Sequence, residues 1–142
     1  MPVLSGEYIN FIVTDEKGQF EEMVYRPHIR FMFKIGHRFT RLFAGLIDSG
    51  ADRNLFPAEL GEGLGINVKT GKRKIATGIG DKQITTYRHK NIELFFDQGF
   101  HFKTEVDFSY EMGTLLLDGV GFFDKFKRIS FKKKAEVVEL EY

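Results

Sequence analysis

The sequence contains no cysteine and no tryptophan, and it has few prolines and histidines. Without cysteine there are no disulfides, no thiolate nucleophile and no thiolate metal site, so the fold must rest on packing alone. A charge excess is missing too: 21 Lys and Arg stand against 20 Asp and Glu, a net charge of +1. Nucleic-acid binders carry a basic footprint to neutralise phosphates, and this balance excludes one, so no nucleic-acid partner is expected. The single basic run, Lys132-Lys133-Lys134, falls between two strand-like segments and reads as a solvated hairpin turn. No apolar run is long enough to span a bilayer, and residues 1–11 lack a basic start followed by an apolar stretch. A cytoplasmic chain with no membrane partner is therefore expected.

What is present is apolar and aromatic. Of 142 residues 42% are hydrophobic, which suits one compact domain spanning residues 1–142 better than two half-sized ones. Sixteen phenylalanines supply large buried area with no polar atom to satisfy, and core filling is their expected use.

Apolar and polar residues alternate at period two from end to end, while helical periodicity is confined to short patches, so the chain is expected to be all-β. Residues 7–14 and 19–25 read as an N-terminal hairpin within residues 1–26, closed by Asp15-Glu16-Lys17-Gly18 and separated from the next strand by Pro27. Residues 28–35 place Ile29, Phe31, Phe33 and Ile35 on one face, Gly36-His37 turns, and residues 38–47 return as a second strand. Pro57 suits the first turn of a short helix reaching about Leu60, with Gly61, Gly63 and Gly65 available to end it. Further strands are expected over 72–77, 83–89, 91–96, 100–108, 114–117, 128–131 and 136–140, with a helical turn over 122–126.

The most informative segment is Gly45-Leu46-Ile47-Asp48-Ser49-Gly50-Ala51-Asp52, an apolar strand that delivers a carboxylate to a tight turn. Gly50 permits close approach to the main chain, and the Ser49 hydroxyl can brace the loop. Taken by itself an acid-Ser-Gly turn is also an ordinary strand end.

The surrounding order resembles the retropepsin-like aspartic peptidases over residues 28–140. In that family two strands joined by a glycine turn lead into an apolar-apolar-Asp-Thr/Ser-Gly-Ala signature, matched here by Leu46-Ile47-Asp48-Ser49-Gly50-Ala51. A glycine-rich flap comes next, and Thr77-Gly78-Ile79-Gly80-Asp81 between two strand-like segments resembles its tip and substrate-covering part. Near the C-terminus Leu116 to Gly119, Phe122 to Phe126 and the final hairpin repeat the family's order. One departure is Asp118 before Gly119, where the family usually places an aliphatic residue; this implies either an inserted residue or a charge close to the active-site turn.

The resemblance implies a closed β-barrel with a flap and one or two short helices. It implies an aspartic endopeptidase that needs no cofactor and acts as a homodimer on a polypeptide substrate. Two carboxylates sharing one proton can hydrolyse a peptide bond. This chain offers one Asp-Ser-Gly turn, so a two-fold dimer would pair Asp48 with its mate. Ser49, Gly50 and Ala51 would support the loop, with Asp52 in a lesser supporting role. His28, His37, His89 and His101 are scattered without ligand spacing, so no metal site is expected. Arg53, Arg88 and Asp81 read equally as ion pairs near the flap or as ordinary solvated charge, and Glu62 and Asp124 have no motif around them. The competing functional readings are a catalytically silent binding or regulatory module on the same fold and, less favoured, a purely structural barrel subunit.

Overall fold

The computed structural model describes residues 2–48, 50, 52–77 and 82–142. The chain is mostly β, and its strands form one sheet. Strand β1 (Val3–Thr14) pairs antiparallel with β2 (Phe20–Ile35). Asp15 builds the turn between them, its Oδ1 accepting from the Lys17 and Gln19 N–H groups at 2.9 Å, while Gly18 takes φ of 77°. Pro27 does not separate this hairpin from the next strand, because β2 runs through it without a break. The reason lies in the ladder. The Tyr8 N–H, opposite Pro27, points away from β2 and donates to the Glu136 carbonyl at 3.1 Å. The imide nitrogen therefore faces the other edge, where pairing begins only at His28, and no ladder bond is lost.

Beyond Pro27, β2 turns Ile29, Phe31 and Phe33 into the core, while Ile35 is exposed at the turn where Gly36 takes φ of 60°. The expected return strand over 38–47 is split into β3 (Arg38–Phe39) and β4 (Phe43–Ile47). Thr40 causes the interruption. Its N–H donates to the Phe33 carbonyl and its Oγ1 accepts the Phe33 N–H, both at 3.0 Å, so a side chain completes the ladder and the next residues loop out.

The remaining strands are β5 (Leu55–Pro57), β6 (Lys72–Thr77), β7 (Gln83–Phe95), β8 (His101–Ser109), β9 (Leu116–Leu117), β10 (Arg128–Lys132) and β11 (Val137–Glu141). Pairing runs β2–β4–β9–β5–β8–β7 and returns from β7 to β2, so these six strands form a ring, with β6 on β7 and with β11 and β10 added beyond β1. The β4–β9 and β5–β8 pairs are parallel. Two expected strands, 83–89 and 91–96, are one element that shifts register at Asn91, where φ is 63°. Helix α1 (Ala58–Gly63) comes after Pro57 and extends past Leu60, because Gly61 can lie against Phe108: a Cβ there would meet its Cε1 at 2.9 Å.

Phenylalanine fills the ring's interior. Phe31, Phe33, Phe56, Phe108 and Phe122 are fully buried, and edge contacts chain the first four together, Phe31 to Phe33 at 5.3 Å, Phe33 to Phe56 at 5.8 Å and Phe56 to Phe108 at 6.1 Å. Such offset geometries suit the ring quadrupoles and hold the strands at fixed spacing.

Candidate active site

Strand β4 carries the site. Its alternation buries Gly45 and Ile47 and leaves Asp48, just beyond its end, half-buried. Gly45 is required by packing rather than by conformation: a Cβ would meet the Leu117 Cδ1 at 2.6 Å and the Phe31 Cε1 at 3.0 Å. That close approach brings β4 against β9. The Leu46 N–H donates to the Leu115 carbonyl at 2.8 Å and the Asp48 N–H to the Leu117 carbonyl at 3.0 Å. The Asp48 carboxylate is in turn held by the turn it begins, its Oδ1 accepting the Gly50 N–H at 2.8 Å.

Asp48 opens on a cavity of about 510 Å³ bordered by Tyr8, Tyr25, Pro27, Phe131 and Lys133. The same region carries an apolar surface. Along β2 the face that buries Ile29, Phe31 and Phe33 continues outward as Tyr25 and Met23, both exposed, beside Ile12 of β1 and Phe20.

Of the residues expected to support the loop, Gly50 is described, with its N–H on the Asp48 carboxylate; Ser49 and Ala51 lie outside the described residues, as do Gly78, Ile79, Gly80 and Asp81 of the expected flap tip. The stem of that hairpin is described: β6 and β7 pair antiparallel up to Thr77 opposite Gln83, and Thr77 is exposed. Asp52 is exposed, and its carbonyl accepts the Val120 N–H at 2.8 Å.

Asn54 is a residue that sequence reasoning passed over. It is fully buried; its Nδ2 donates to the Glu105 carbonyl at 3.1 Å and its Oδ1 accepts the Asp118 N–H at 3.0 Å. It thereby fastens the segment leaving Asp48 to the loop after β9. The only signal was a polar residue beside the apolar Leu55-Phe56 pair. Asp118 itself is fully buried and comes directly after Leu117, whose carbonyl holds Asp48, so this residue stands beside the turn.

Arg53 and Arg88 are ion-paired. Arg53 reaches Glu105 at 2.8 Å, and Arg88 makes a two-pronged contact with Asp107 at 2.8 and 3.2 Å, which holds its guanidinium above the ordinary arginine range. The histidines do not converge: the His28 Nδ1 lies 2.8 Å from the Arg26 carbonyl, the His89 Nε2 lies 2.8 Å from the Val68 carbonyl, and His101 stacks on Phe95. Among the described residues no three His, Asp or Glu side chains are grouped to hold a metal ion, and no helix is long and apolar enough to cross a membrane.

No protein-family model matches this chain, and no curated protein matches it. Among solved structures it is similar to a retropepsin-like aspartic protease from Rickettsia conorii, with a TM-score of 0.63 and 15% identity over 99% of this chain and 94% of that one. The likeness is one of fold.

Proposed function

We propose that this chain is a single-domain aspartic endopeptidase that works as a homodimer, the ring of strands forming the closed barrel of that fold and each copy contributing Asp48. The observation that carries the reading is the setting of Asp48: a carboxylate at the end of a buried strand, clamped by its main chain to Leu117, held by the Gly50 N–H and open to a cavity. The fold shared with the Rickettsia conorii protein supports it. The apolar surface of Ile12, Phe20, Met23 and Tyr25 beside the cavity supports a second copy as the partner, since exposed apolar patches of this kind mark interaction sites.

In the dimer the two Asp48 carboxyls hold one proton between them. The ionised one takes a proton from water as its oxygen adds to the peptide carbonyl carbon. The protonated one donates to the carbonyl oxygen, and collapse of the tetrahedral species breaks the C–N bond as the amine leaves with a proton. Ser49 and Ala51 brace the facing turns, and the segment from Thr77 to Asp81 covers an extended polypeptide. The test is hydrolysis of a peptide library by the wild-type chain and by Asp48→Asn. Cleavage by the wild type alone supports the reading; equal rates would sink it, and a wild type that binds peptides without cleaving them points to a silent module.

A further inference from the structure

Lys72 and Lys74 lie two residues apart on β6 and project to the same face of the sheet. Across the ladder Lys72 stands opposite Arg88, and Arg88 opposite Asp107. Arg88 is neutralised by Asp107 at 2.8 Å and Arg53 by Glu105 at 2.8 Å, with Lys90 reaching the same Glu105 at 3.9 Å. Lys72 and Lys74 have no carboxylate within ion-pair distance among the described residues. They are also crowded. The Lys74 ammonium is held below the ordinary lysine range first by the charge of Lys72, then by desolvation, with Arg88 and Arg53 adding to the effect. Both are at the surface, Lys72 exposed and Lys74 half-buried, so an incoming carboxylate can reach them.

The place of this face matters as much as its charge. β6 is one strand of the hairpin that would cover substrate, and Arg53 lies five residues along the chain from Asp48. Five residues span no more than about 18 Å even when fully extended. An extended peptide has a similar rise, so one that runs from Asp48 toward Arg53 would reach this face within about five residues of the bond under attack.

We propose that Lys72 and Lys74, backed by Arg53 and Arg88, form a subsite for an acidic side chain, Asp or Glu, of the bound polypeptide. A single carboxylate fits better than a polyanion, because Glu105 and Asp107 stand within the same face and the chain as a whole carries only +1. Lysine ammoniums act as point charges that a lone carboxylate can share, while both arginine forks are already occupied. This subsite rests on the peptidase reading for its place beside the scissile bond but not for its ability to bind.

The test separates the two. Binding is measured by fluorescence anisotropy on the Asp48→Asn protein, with labelled peptides that differ only by Glu or Gln at positions flanking a central apolar pair. The Glu peptides are expected to bind roughly fivefold tighter at low ionic strength, with the difference shrinking as salt is added. Lys72→Glu with Lys74→Glu should abolish the preference and favour Lys-bearing peptides. Lys72→Gln with Lys74→Gln, a milder pair of changes, should abolish it without the reversal. In the wild type kcat/KM should show the same ordering. Equal binding of Glu and Gln peptides, an unaltered preference in both lysine variants, or no peptide binding at all overturns the subsite. Selective binding without cleavage by the wild type keeps the subsite and removes the peptidase reading.

Discussion

The Asp48 N–H donates to the Leu117 carbonyl at 3.0 Å, joining the end of β4 to the end of β9 across a parallel pair. A carboxylate on a loose loop would sample many positions, whereas this bond fixes its backbone between two core strands. Pre-positioning of this kind is what general acid-base chemistry requires.

Asp48→Asn should leave the fold intact and remove peptide cleavage. The amide is nearly isosteric, and its Oδ1 can still accept the Gly50 N–H. Stability is expected to change by less than about 1 kcal/mol, and kcat/KM to fall by at least about 100-fold. Thermal unfolding and peptide hydrolysis on one preparation check both halves.

Activity should depend on protein concentration and pass through a maximum at acidic pH. Each chain has one Asp-Ser-Gly sequence, so the monomer should be inert. In the proposed dimer the pair would work with one shared proton, so activity should fall when both carboxyls are protonated or both are ionised. Initial rates across pH and dilution, with sedimentation on the same samples, provide the measurement. Constant turnover per chain where only monomer sediments would refute a shared dyad.

Gly45→Ala should damage the site from beneath. The new methyl would meet Leu117 at 2.6 Å and Phe31 at 3.0 Å, and these belong to the core that seats β4. Overpacking of this kind costs about 1–3 kcal/mol. Leu117 and Phe31 are packed in the core, so relief by moving the strand off β9 would displace Asp48. A lower melting temperature together with reduced kcat is expected; unchanged activity would show that the β4–β9 contact does not position the carboxylate.

Tyr110 should ionise late. Its hydroxyl donates to Glu62, and that bond, followed by desolvation and the carboxylate's charge, pushes its pKa up from 10.0 to about 12. A raised folded-state value means the contribution to stability is fully present below pH 10 and is lost as pH climbs toward 12. Ultraviolet titration of tyrosinate should show a late step that vanishes in Tyr110→Phe and moves back toward pH 10 in Glu62→Gln.

The information carried by residue order alone was local. Alternation at period two marked the strands because a pleated chain sorts its side chains onto two faces whatever its neighbours are. Gly18 and Gly36 marked turns because those backbones take φ of 77° and 60°. The run Leu46-Ile47-Asp48 marked a buried strand ending in an acid. The tertiary structure decided which strand lies beside which. It let β2 pass through Pro27 because that nitrogen faces an edge not yet paired, and it broke the return strand because the Thr40 hydroxyl reaches Phe33. It also set β9 against β4 and used Asn54 to tie the Asp48 segment to Asp118, 64 residues away. Periodicity reports which face of a strand is buried but carries no information about the partner that buries it, so these long-range bonds were absent from every local pattern.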